Sequence, residues 1–381
     1  MSPIKIILFS LMLSASWVVI PGEFPVVPKV NAQTSQPEMT IKLTYKSKEY
    51  FGRPLAWDGK DLMLLRTDGQ ISTLPAKNES DFQKIKTGFD PLSAQKLRNQ
   101  LQKEYGSKYQ VSVTQNFVVV HPPGSYTVWA QPFEELYSRF RAYFSTRGLR
   151  LKSPEFPMVA IVLRTRREFD RFLVAYHKYD SNILGYYNPQ SNRIITYNQS
   201  NSRSTGKNWF FNSSTIIHEA THQTAFNVGL HSRFTPVPRW ISEGLAMLFE
   251  APGINNSHYH SRQSDRINRG RLLEIKHFYQ KGKIRGKLAN LIINDDLFRS
   301  EPEVAYAMSW ALTFYLHEKK PQAYLRFLAA DGARQDFATF TSKQRATAFA
   351  KAFGSDIRSL EARMAEFYSK LKVPSDKIAA K

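Results

Sequence analysis

The chain of 381 residues contains no cysteine. That excludes disulfides and a lipid-modified cysteine anchor, and it is compatible with export without requiring it. Acidic residues are also scarce: 32 Asp and Glu stand against 53 Lys and Arg, for a net charge of +21 and a pI near 9.9. Such a surplus suits acidic surroundings, an anionic lipid surface, an anionic envelope polymer or acidic substrates. Nucleic acid is the usual alternative for a basic chain, but no nucleic-acid-binding motif occurs and none is expected as a partner. Long apolar runs are missing beyond the amino terminus, so nothing there can span a bilayer.

The one apolar run, residues 6–20, follows Lys5 and is broken by Ser10, Ser14 and Ser16. It reads as a secretory signal, with Val30-Asn31-Ala32 as the small-residue cleavage site. The stretch containing Pro21, Pro25 and Pro28 is longer than usual, so an uncleaved N-terminal anchor is the alternative. Either way the chain is expected to be exported, periplasmic or extracellular. Residues 262–287 hold nine Lys and Arg and read as a solvated basic face.

Histidine is sparse too, with nine in the chain, yet two fall in His218-Glu219-Ala220-Thr221-His222. On a helix, positions i and i+4 share a face, so both imidazoles can converge on one metal ion. Glu219 lies about 100° round the helix, beside that face, where a base for a metal-activated water belongs. Asn212, Ser213 and Ser214 offer caps for the helix start, and Gly229 offers a stop. Pro236 and Pro238 break the chain, and Pro238 suits the opening of a second helix. Trp240, Ile241, Leu245 and Leu248 give that helix an apolar face. Glu243, 21 residues past His222, would return its carboxylate to the ion as the third ligand.

The pair HExxH and Trp240-Ile241-Ser242-Glu243-Gly244-Leu245-Ala246 resembles the gluzincins of the peptidase MA superfamily. More narrowly, it resembles bacterial peptidase-MA-like domains, several of which are labelled domains of unknown function. The resemblance covers roughly residues 110–330 and is strongest at 215–250. It implies a zincin-like α+β fold with Zn2+ held by His218, His222 and Glu243, and Glu219 as general base. It also implies a Tyr that hydrogen-bonds the oxyanion from a later helix. Tyr306, 63 residues after Glu243, is the candidate, with Tyr315 and His317 as weaker ones on the same helix. No motif for binding a substrate amine is present, which argues against an aminopeptidase. Glu250 could be a partner of a ligand histidine or a surface residue.

Around this core the pattern is α+β. Residues 39–90 read as a small β-barrel or sheet module, with strands at 40–46, 55–57, 62–66 and 71–74 and turns at Asp58-Gly59 and Asp68-Gly69. Residues 91–110 read as a linking helix and 111–371 as the zincin-like domain. Within it, strands fall at 116–120, 158–163, 185–187 and 193–197, and helices at 132–144 and 167–176. Helices at 272–279, 303–318, 322–328 and 357–371 follow. The strand at 193–197 is the candidate edge strand for aligning a peptide by β-addition. Residues 372–381 read as a basic tail.

The expected function is an exported zinc metallopeptidase acting on a peptide or protein. One alternative is a non-catalytic envelope-binding protein with a vestigial or structural metal site. Another is a zinc hydrolase of a non-peptide amide or ester.

Overall fold

The structure, a computed structural model, describes residues 39–76, 82–85, 88–124, 126–175, 183–199 and 207–374. The expected signal segment and the end of the basic tail lie outside them. The fold is α+β, with an N-terminal β module followed by a mixed sheet and a helical region.

The module is one sheet in the order β4-β3-β2-β1-β5, every pairing antiparallel. Its strands are β1 (Thr40–Tyr45), β2 (Lys48–Trp57), β3 (Asp61–Arg66), β4 (Ile71–Pro75) and β5 (Phe82–Ile85). Asp58 caps the first predicted turn, accepting from the Lys60 and Asp61 amides at 2.9 and 2.7 Å. The strand β5 was not foreseen; it pairs with β1 across a gap in sequence.

Helix α1 (Ala94–Tyr105) does more than link the two parts. It buries Leu97 and Leu101 on the second sheet. That sheet has the order β6-β7-β8-β10-β9, from β6 (Gln110–Val113), β7 (Phe117–His121), β8 (Met158–Leu163), β9 (Gly185–Asn188) and β10 (Arg193–Tyr197). β7, β8 and β10 run parallel, which requires crossovers. After a single turn, α2 (Tyr126–Trp129), helix α3 (Gln131–Ser145) makes the first crossover, and α4 (Arg166–Ala175) makes the second. They lie on opposite faces. Phe117, Val119, Met158, Ala160 and Val162 face the core that contains α3, whereas Val118, Val120, Val159 and Ile161 meet Phe169 and Leu173 of α4. Burial on both faces explains the unbroken apolar run of β8.

The edge strand differs from the expectation. β10 is interior, between β8 and β9, and β9 is at the edge. The sequence offered two strands of a hairpin with no means of telling which one pairs with β8.

Helix α5 (Lys207–Asn227) begins earlier than Asn212, so Asn212, Ser213 and Ser214 lie inside it. It ends as expected, with Gly229 at φ 79°. α6 (Arg239–Phe249) is buried along its whole length. A turn, α7 (Pro252–Asn255), leads to α8 (Arg269–Gln280), then α9 (Leu288–Ile293), α10 (Leu297–Ser300) and the long α11 (Pro302–Lys319). α12 (Pro321–Gly332), α13 (Ser342–Phe353) and α14 (Ile357–Lys370) close the chain. Gly244 brings α6 against α11, because a Cβ there would fall 2.7 Å from the Ser309 carbonyl oxygen. No helix among the described residues is long and apolar enough to cross a membrane.

The basic stretch 262–287 is partly engaged within the fold and partly a solvated face, with Arg262, Lys281, Lys283 and Arg285 exposed. Arg266 pairs with Glu318 at 2.9 Å, buried Arg271 with Glu274 at 2.8 Å, and Lys287 with Glu301. Arg269 and Lys276 reach main-chain oxygens of Pro374 and Ser369.

Candidate metal centre

α5 and α6 bring the two expected histidines and Glu243 together. All three are buried, and one ligand atom from each lies within 4.8 Å of the others. His218 Nε2 and His222 Nε2 are 3.2 Å apart. Oε2 of Glu243 lies 3.4 Å from the first and 3.6 Å from the second. Neither Glu243 oxygen accepts a hydrogen bond, although both are shielded from solvent. A buried carboxylate without a donor is costly unless a cation answers it. The donor set of two imidazoles and a carboxylate supplies three lone pairs to one point, and this group could hold a metal ion.

Charge at the site agrees. Burial favours a neutral His218, but the carboxylates of Glu243 and Glu250 overcome it and hold the ring at about 10. Burial would raise Glu243, but His222 and His218 pull it down to about 2. The pocket therefore demands positive charge, from a proton on His218 or from a metal that replaces it.

Glu250 is not a surface residue. Its Oε1 lies 2.7 Å from His218 Nδ1, and its Oε2 accepts from Asn268 Nδ2 at 2.7 Å. A proton on Nδ1, shared with Glu250, leaves the Nε2 lone pair facing the cluster. Asn268 is itself held at the N-cap of α8, where it accepts from the Arg271 amide. The helix expected at 272–279 begins three residues earlier, at Arg269, and neither its N-cap Asn268 nor the contact of Asn268 with Glu250 was read from the sequence.

Glu219 lies beside the cluster, buried. The Tyr187 amide of β9 donates to its Oε2 at 2.8 Å. Gly185 permits this approach, since a Cβ there would sit 2.8 Å from Glu219 Cγ. Burial raises the Glu219 carboxyl above its ordinary range, opposed by the charges of His218 and His222. A carboxylate raised in this way is better matched to proton transfer near neutral pH.

Tyr306 is buried on α11. Arg239, one turn before Glu243, donates from Nη2 to the phenol oxygen at 3.2 Å, and its guanidinium lies 4.3 Å from the Phe298 ring centroid. Burial raises the phenol well above its ordinary value; the charge of Glu243 adds to this, and Arg239 and Arg271 oppose it. Arg239 was missed in the sequence, where an arginine opening a helix reads as surface. Tyr315 and His317 lie roughly two and a half and three turns further along α11. His317 is engaged there with Glu318 at 3.0 Å and stacks on Tyr143.

The family described as protein of unknown function (DUF1570) matches residues 212–338. That stretch spans α6 to α12 and the part of α5 that carries His218, Glu219 and His222, and leaves both sheets outside. No curated protein matches the chain.

Proposed function

We propose that the chain is a zinc-dependent metallopeptidase of the zincin-like, gluzincin type, exported and acting at or beyond the membrane. The observation that carries this reading is the triangle of 3.2, 3.4 and 3.6 Å between the two Nε2 atoms and the Glu243 oxygen. Tetrahedral zinc with bonds of ~2.0–2.1 Å places its ligand atoms roughly 3.3 Å apart. The orphaned Glu243 oxygens fit the same assignment.

A bound zinc supplies Lewis acidity, acidifying a water and polarising a carbonyl. The protein's own groups do the rest. His218 is oriented by Glu250, so its Nε2 lone pair keeps its direction. Glu219, with one oxygen held by the Tyr187 amide, takes the proton of the attacking water and passes it to the leaving amine. The Tyr306 oxygen accepts from Arg239, and its hydroxyl is the donor this reading assigns to the developing oxyanion.

The test is hydrolysis of a peptide library by the zinc-loaded chain and by Glu219→Gln. Loss of a general base is expected to slow turnover by about 10²–10⁴-fold while zinc content stays unchanged. A Glu219→Gln chain as active as the wild type would remove the mechanism. A zinc-loaded wild type that cleaves no peptide, ester or amide would favour a binding protein.

A further inference from the structure

The N-terminal sheet meets the rest of the chain beside the candidate site. Its β3–β4 turn lies over the β9–β10 turn, and the Ile71 amide donates to Gln190 O at 2.8 Å. Phe156, just before β8, packs with Leu65, Ile71 and Phe89 in one small core, and Phe234 joins it. Arg233, between α5 and α6, ties the same place together. Its Nε donates to Pro189 O at 2.7 Å, and its Nη2 donates to Gly69 O at 2.7 Å and to Gln190 O at 3.3 Å. The nearby carboxylates are taken by other arginines, Glu155 by Arg53 and Asp68 by Arg66, each at 3.0 Å. Arg233 makes no ion pair among the described residues; in contact it serves main-chain carbonyls of both parts.

The turn it grips carries β9, a four-residue strand at the edge of the sheet among the described residues. A short edge strand frays readily unless something outside the sheet holds it. β9 is also the strand whose Tyr187 amide holds Glu219. We infer that the N-terminal sheet is a brace for the site: through Arg233 and the Ile71 amide it fixes the β9–β10 turn, and with it the backbone that orients Glu219. Arg233 is a positioning residue here, and the consequence for turnover rests on Glu219 being the base proposed above. A lysine cannot replace it, because one ammonium lacks the planar fork that reaches three carbonyls.

The experiment is hydrogen exchange read by mass spectrometry on the full zinc-loaded chain, for wild type, Arg233→Gln and Arg233→Lys, with zinc content and peptide turnover measured alongside. In both variants, exchange at residues 68–75 and 185–192 is expected to quicken by about tenfold or more. Peptides from α6 and α11 should keep wild-type rates, and zinc content should be unchanged. Turnover is expected to fall about tenfold through kcat, as a misplaced base would cause. Unchanged exchange at 185–192 in a folded variant would overturn the brace. So would a uniform increase across the chain, which marks simple destabilisation, or full protection in Arg233→Lys. If Arg233→Gln does not fold, Arg233→Lys decides alone. If the wild type hydrolyses nothing, the peptidase reading fails while the exchange pattern still decides the brace.

Discussion

His218, Glu219 and His222 stand on the same helix as Gln223 and Asn227, one turn further on, and the two sets treat burial in opposite ways. In the second set the amide hydrogens find carbonyls. Gln223 Nε2 reaches Val159 O and Asn192 O at 3.0 and 2.7 Å, and Asn227 exchanges hydrogen bonds with the Asn192 side chain at 2.7 and 2.9 Å. Tyr187 completes the group through its hydroxyl on Asn192. In the first set, three lone-pair donors converge and the Glu243 oxygens find no hydrogen at all. The second set binds helix to sheet through its amide hydrogens, although Gln223 Oε1 itself finds no donor. The first set is held in place by its neighbours, and its converging lone pairs are what a cation could complete. Similar burial thus serves structure where amide hydrogens meet carbonyls, and leaves room for metal chemistry where lone pairs converge.

Substitutions can sharpen that contrast. Read by zinc affinity, the largest effect short of removing a ligand is expected at Glu250, which belongs to the first set through His218. Glu250→Ala should weaken zinc about 10–100-fold, by competition with a chelator, because His218 loses its orienting partner. Asn227→Ala should act on the other set. Denaturant unfolding should show a loss of about 1–3 kcal/mol, as Asn192 is left with unmet partners, while zinc affinity changes little. If Asn227→Ala cost zinc affinity as much as Glu250→Ala, the two sets would not be separable.

The smallest effect lies away from both. At Glu318, burial favours the neutral acid, yet His317 and Arg266 hold the carboxyl at about 2. A depressed folded-state value stabilises above the unfolded value of 4.5 and is lost as pH falls toward about 2. The stability gap between wild type and Glu318→Gln should therefore be widest above pH 4.5 and close below it. A gap independent of pH would mean that the ion pair contributes nothing.

Much of this was legible in the sequence because it rests on local periodicity. The i and i+4 spacing placed both histidines on one helix face, and the return at Glu243 followed from two prolines and an apolar stripe. β8 and α3 were clear from apolar runs and helical spacing. What was not legible depends on contacts distant in sequence. β5 and β6 are four-residue strands that gain their identity from neighbours. The edge position of β9 depends on β10 choosing β8, which no hairpin signal encodes. Glu250 was visible as an acid two turns beyond Glu243, but its place on His218 depends on how α6 meets α5 and on Asn268 from α8. Arg233 and Arg239 carry no signal of their place in the sequence, because their acceptors are a main-chain turn and a phenol contributed by other elements.

The most direct test of the central claim is the metal content of the purified chain by elemental analysis, with His222→Ala beside it. The convergence of His218, His222 and Glu243 predicts about one zinc per wild-type chain and close to none in the variant. Wild-type protein that takes up no zinc even after reconstitution, or His222→Ala protein that retains as much as the wild type, would contradict it.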